Sequence, residues 1–197
     1  PEMSRGLGDV YKRQPVHALT ELALPDSVAT IGNGVFASCS KLKQVTLPNG
    51  LTSISESMFS DCSALTSVEI PDSVTSIGKY AFKNCVKLVN ISIPDSVTVI
   101  SDGAFYGCKK LISIHWSESL EQINYEAFEN CVSLEAITFP KKINTIGPSA
   151  FSDCTSLSSI SFTDNNKGGA YVDIQSSAFS NCTCLLYTSP SPRDISG

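Results

Sequence analysis

The sequence predicts an α/β repeat solenoid of about seven 23-residue units, stacked into a rod with a parallel sheet of short strands along one face. Three observations carry that reading. Phenylalanine recurs at Phe36, Phe59, Phe82, Phe105, Phe128, Phe151 and Phe179, the first six spaced by 23 residues. Each is followed three residues later by a cysteine, from Cys39 through Cys182. Between successive Cys and Phe positions runs an apolar segment with period-two alternation, such as Leu88-Val89-Asn90-Ile91-Ser92-Ile93. A unit this short cannot close a core alone, so neighbouring units must stack on one another.

Each element of the unit follows from its residues. The alternating, β-branched segment predicts a short strand. Proline then ends it, at Pro25, Pro48, Pro71, Pro94 and Pro140, because proline brings no N–H to a ladder. Asp-Ser after proline is turn chemistry. A second extended piece follows, as in Val74-Thr75-Ser76-Ile77. The Ala-Phe-x-x-Cys stretch is expected to pack from the opposite side as a short helical turn. Val74, Ile77, Phe82, Cys85, Leu88, Ile91 and Ile93 are the expected inward set. Stacking places each under its counterpart, with strands ~4.8 Å apart.

The pattern Ile-Pro-x-x-Val-x-x-Ile-x-x-x-Ala-Phe-x-x-Cys-x-x-Leu-x-x-Ile resembles the BspA-type (Treponema-type) leucine-rich repeat family. The match runs from residue 19 to residue 183. The resemblance implies a right-handed leucine-rich-repeat solenoid and no enzyme activity. It also implies a protein-binding or adhesion module of a cell-surface or secreted, extracellular protein. The partner would be a protein ligand, such as host matrix or another cell surface. The alternative is a structural spacer or accessory repeat array in a larger secreted protein, alone or beside an enzyme domain. Departures are few: Met58 stands for Ala, Trp116-Ser117 stand for Ile-Pro, and Phe151 to Phe179 spans 28 residues. The segment Asp164–Gly169 is the expected insertion, and its Asp-Asn-Asn composition raises Ca²⁺ ligation as a lesser alternative.

The two ends fall outside the repeat. Ser4–Gln14 and Cys184–Asp194 can be encoded by opposite strands of one stretch of DNA, which resembles a sequencing-library adapter read through at both flanks of a metagenomic fragment. The expected division is therefore 1–14 as a non-native tail, 15–183 as the repeat domain, cut within repeats at both ends, and 184–197 as a second non-native tail. Cut ends would expose apolar rungs at Leu22 and Phe179 and favour self-association.

Composition narrows the function. The chain carries 14 Lys+Arg against 19 Asp+Glu, a net charge of −5. Mild acidity without a basic run argues against nucleic acid. No apolar stretch approaches the ~20 residues of a bilayer span, so no membrane insertion is expected. Seven of the eight cysteines share one register, with no Cys-x-x-Cys and no paired histidine. A single file cannot converge four ligands on a metal. A ladder of packed, reduced thiols is the expectation, and no metal or cofactor is expected.

The binding surface should be the outward side of the strands. One column holds Gln44, Ser67, Asn90, Ser113, Ala136 and Ser159, and its neighbour holds Thr46, Glu69, Ser92, His115, Thr138 and Ser161. No nucleophile, base and orienting group can be assembled from them, so no catalytic residue is predicted. His17, the other histidine, lies near the edge of the repeats. The candidate binding residues are Glu69, Asn90, Ser92, Ser113, His115, Trp116 and Thr138. Trp116 has two readings: a core residue in the inward register of Ile93 and Phe139, or a bulky anchor displaced outward beside His115.

Overall fold

The computed structural model describes residues 18–163 and 171–183. The two proposed tails, His17 and the Asp164–Gly169 segment lie outside these residues. The rest forms a parallel β-solenoid in which each turn advances the chain by one 23-residue unit.

Two series of strands alternate along the chain. The first holds β1 (Glu21–Ala23), β2 (Gln44–Thr46), β4 (Ser67–Val68), β6 (Asn90–Ser92), β8 (Ser113–His115), β10 (Ala136–Phe139) and β12 (Ser159–Phe162). The second holds β3 (Ser53–Ile54), β5 (Ser76–Ile77), β7 (Val99–Ile100), β9 (Gln122–Ile123), β11 (Thr145–Ile146) and β13 (Asp173–Ile174). Pairing is parallel, and partners are one unit apart, as in Leu22 with Val45 and Ile123 with Ile146. The expected sheet on one face is thus joined by another. The second series forms one uninterrupted 6-stranded sheet. The first is divided into ladders β1-β2-β4, β6-β8 and β10-β12.

The α component of the prediction is absent, since the described residues contain no α-helix. The Ala-Phe-x-x-Cys stretch is an arc of turns, and the reason lies in its backbone. Two residues per unit, two before and two after each Phe, have positive φ: Ser57 and Asp61, Tyr80 and Asn84, Gly103 and Gly107, Glu126 and Asn130. A left-handed residue on each side of Phe breaks the helical sequence of dihedrals. It also turns alternate N–H groups along the rod. Tyr80, Phe82 and Asn84 donate to the carbonyls of Asp102, Ala104 and Tyr106 in the next unit, at 3.0, 2.7 and 2.7 Å. Between them, Lys83 N–H bonds back to Tyr80 and Cys85 N–H back to Phe82, at 3.1 Å each. The arc therefore satisfies its buried backbone groups without a helix.

The core is a set of identical files. Phe36 through Phe179 stack ring on ring, with centroids 5.7, 5.5, 5.2, 5.0, 5.2 and 5.4 Å apart. Leu42, Leu65, Leu88, Leu111, Leu134 and Leu157 are wholly buried. The seven cysteines carry no disulfide, as the packed-thiol reading requires. Each thiol from Cys62 on donates to the carbonyl of the Phe one unit earlier: Cys62 to Phe36 at 3.1 Å, Cys108 to Phe82 at 3.2 Å, Cys154 to Phe128 at 3.3 Å. A small apolar side chain with one weak donor suits that buried site. Burial pushes the thiols up, Cys62 and Cys108 to about 12.

The expected bare rung at Leu22 is corrected: Leu22 is 4% exposed, and Leu19 packs against the same core. Phe179 is partly buried, and the exposed apolar groups near that end are Phe162 and Ile174.

Candidate binding surface

The two outward columns of the first face are fully displayed. Gln44, Ser67, Asn90, Ser113, Ala136 and Ser159 are exposed, as are Thr46, Glu69, Ser92, His115, Thr138 and Ser161. The alternation that exposes them buries Val45, Val68, Ile91 and Ile137 between the columns, as the strand period demands.

The ladder breaks sort the predicted residues into groups. Asn90, Ser92, Ser113 and His115 sit together on β6 and β8, with Asn90 opposite Ser113 and Ser92 opposite His115. Ser113 Oγ donates to Asn90 Oδ1 at 2.6 Å, fixing that pair. Thr138 belongs to the next ladder, where its hydroxyl shares a 2.9 Å hydrogen bond with Ser161. Glu69 lies just past the end of β4, beyond the other break. Apart from Trp116, the candidate residues are thus spread over three ladders of one face.

Trp116 resolves to the first of its two readings. It is 9% exposed and enters the core, edge-on to Phe128 at 5.4 Å and tilted against Phe139 at 5.9 Å. Ser117, in the place of proline, is wholly buried. Its Oγ accepts the Ser119 N–H at 3.1 Å, so the turn keeps a hydrogen bond that proline could not provide.

Sequence reasoning missed a hollow on this face. A concave surface of about 990 Å³ lies over β1, β2 and β4 and the turns that follow them. Its lining includes Glu21, Gln44, Thr46, Ser67, Glu69, Asp26, Asn49 and Asp72. Of the predicted residues only Glu69 belongs to it. Asp26 Oδ1 accepts the Asn49 N–H at 3.0 Å, which ties one turn to the next along the rim. Four carboxylates among these side chains make the concavity acidic, a signal visible in the sequence only once the rungs are aligned. Among the described residues no group of three or more His, Cys, Asp or Glu could hold a metal ion.

The surface thus offers an array of hydroxyl, amide and carboxylate groups at the fixed spacing of the rungs.

Comparison with known proteins agrees with this architecture. The BspA type leucine rich repeat region matches in six copies over residues 15–91 and 75–192. The solved leucine rich repeat protein of T. pallidum is 32% identical with a TM-score of 0.64, over 71% of this chain and 65% of that one. A leucine-rich repeat protein from Bacteroides ovatus is 31% identical with a TM-score of 0.57, over 85% and 54%. A leucine rich cell surface protein from Faecalibacterium prausnitzii is 26% identical with a TM-score of 0.56, over 85% and 59%. The chain therefore spans from just over half to just under two thirds of the length of these structures. No curated protein sequence matches it. The family match, the 23-residue register and the parallel stacking agree, and the chain belongs to the BspA-type leucine-rich repeat family.

Proposed function

We propose that the chain is a protein-binding, adhesive module of a cell-surface or secreted protein, and that it grips a protein ligand with the outward face of the first strand series. The observation that supports this most is the acidic concavity over β1, β2 and β4, continuous with two exposed polar columns. A rigid array loses little conformational freedom on binding, so modest contacts summed over several rungs give affinity. Glu21, Glu69, Asp26 and Asp72 favour a ligand with a basic patch. The Faecalibacterium cell surface protein is consistent with a surface location.

The test is capture of immobilised extracellular-matrix proteins. Thr46→Arg with Glu69→Arg should abolish capture, whereas Thr75→Arg with Thr98→Arg, exposed near the other sheet, should leave it unchanged. Equal capture by both variants would overturn the assignment of this face. A spacer role is the second reading, favoured by the Ser- and Thr-rich columns and by the burial of Trp116, which leaves the β6–β8 ladder without an aromatic anchor. It expects no capture at all.

A further inference from the structure

The arc side of the rod carries a patch unrelated to the strand face. Three successive units place Lys83, Tyr106 and Glu129 in the column one residue after Phe. Two columns beside it hold Lys79, Asp102 and Tyr125, and Tyr80, Gly103 and Glu126. Both lysines thus sit on the first rung with Tyr80, Tyr106 and Asp102 on the middle one, and Glu126 and Glu129 on the third with Tyr125.

The parts are in contact. Lys83 Nζ lies 5.1 Å from the Tyr80 ring and 5.6 Å from the Tyr106 ring. Lys79 Nζ pairs with Asp102 at 3.3 Å. The Tyr80 ring lies over Gly103, where a Cβ would come within 2.2 Å of it. Asn130 Nδ2 donates to the Tyr106 hydroxyl at 3.4 Å. Tyr125 is 45% exposed.

At the carboxylate end, Glu129 accepts a 3.4 Å hydrogen bond from Asn130 Nδ2. Among the described residues no lysine or arginine pairs with Glu126 or Glu129. Partial burial, together with the charges of Glu126 and Asp153, pushes the Glu129 carboxyl upward. Such a group gains from an approaching cation.

We propose that this patch is a two-fold interface with a second copy of the chain, packed antiparallel about an axis that crosses the arc at Tyr106. Reversing the rung order while keeping the columns sets Lys83 against the partner's Glu129, and Glu129 against the partner's Lys83. Tyr106 meets its own copy, and so does Asp102, whose charge Lys79 of the same chain balances at 3.3 Å. Lys79 faces the partner's Tyr125, a cation against an aromatic ring. An isologous contact needs a surface complementary to itself. A column reading cation, aromatic, anion at equal steps has that property, which a different protein would have no reason to require. The dimer leaves both strand faces free, so two ligand surfaces act together.

Light scattering across a concentration series tests the proposal on the full chain. The wild-type protein should form a dimer that weakens with salt. Lys83→Glu or Glu129→Lys alone sets like charges together twice, and should weaken it on the order of 100-fold. An equimolar mixture of the two variants restores both pairs and should dimerise as the wild type does. The double variant Lys83→Glu/Glu129→Lys should also recover. A monomeric wild type, or association that persists in both single variants through some other surface, would overturn the proposal. So would recovery failing in the mixture while both variants keep the wild-type fold by circular dichroism.

Discussion

The two sheets of this solenoid are built from one repeat, yet one is continuous and the other is broken twice. The second series has strands of two residues, and its ladder runs unbroken through six of them. The first has strands of up to four residues and splits into three ladders. Strand length therefore does not decide continuity. The inward files of the two series differ in evenness. Ile54, Ile77, Ile100, Ile123, Ile146 and Ile174 place the same side chain under every rung of the second sheet. The corresponding file on the first face runs Leu47, Ile70, Ile93, Trp116, Phe139 and Phe162. That file turns from aliphatic to aromatic between Ile93 and Trp116, on the paired rungs of β6 and β8, so the change of residue type marks neither break. Close-packed interiors transmit differences in side-chain volume to the backbone, so an even file gives an even rise.

The largest way to break both faces together is alkali. The buried thiols sit well above the ~8.5 of an unfolded cysteine, with Cys62 and Cys108 at about 12. The folded chain holds these protons while the unfolded chain releases them. Their stabilisation is therefore complete below ~8.5 and is lost as pH rises towards 12, at roughly 1.4 kcal/mol per pH unit for each thiol. Thermal unfolding followed by circular dichroism should move sharply down between pH 8 and pH 10. An unchanged midpoint would refute the thiol ladder as a source of stability.

Phe105→Ala comes next. The ring is wholly buried and stacked on both sides, at 5.2 and 5.0 Å. Its loss should cost about 3–5 kcal/mol in urea unfolding and loosen the first face, whose Trp116 and Phe139 touch the neighbouring rings Phe128 and Phe151. A smaller effect belongs to the arc. Gly103 has φ of 57° and the Tyr80 ring against it, so Gly103→Ala should cost about 1–3 kcal/mol. Gly32→Ala, where an added Cβ meets nothing closer than 3.6 Å, should change stability by less than about 0.5 kcal/mol. Equal effects would contradict the left-handed arc. The mildest test sharpens the comparison itself. In hydrogen exchange, segments 67–70 and 113–117, which border the ladder breaks, should exchange on the order of tenfold faster than 76–78 and 122–124. Uniform protection of the two faces would remove the distinction.

Much of this was legible in the residues. The Phe, Leu and Cys files were fixed by repetition, because identical residues at one period can only pile on one another. The outward columns followed from strand alternation. The arc was misread as helical because its left-handed positions are occupied by Gly, Ser, Tyr, Glu, Asp and Asn in different units, and only the columns of Asn, Asp and Gly hint at positive φ. The concavity over β1, β2 and β4 was not legible, since curvature belongs to the stack and not to any one unit. Glu69 was chosen for its charge, and that charge is shared with Glu21, Asp26 and Asp72 in the folded rim.

The thiol bonds carry a last consequence. Each thiol from Cys62 on reaches back to the phenylalanine carbonyl of the unit before, while the phenylalanine N–H reaches forward. Every unit thus presents to its successor the same chemical socket it received. Duplication or deletion of one whole unit leaves that fit intact wherever it occurs, whereas an insertion of any other length must be looped out. Descendants of such a gene can vary their reach in steps of about one ring spacing, and recombination rather than point mutation becomes the natural way to adjust how far the molecule extends.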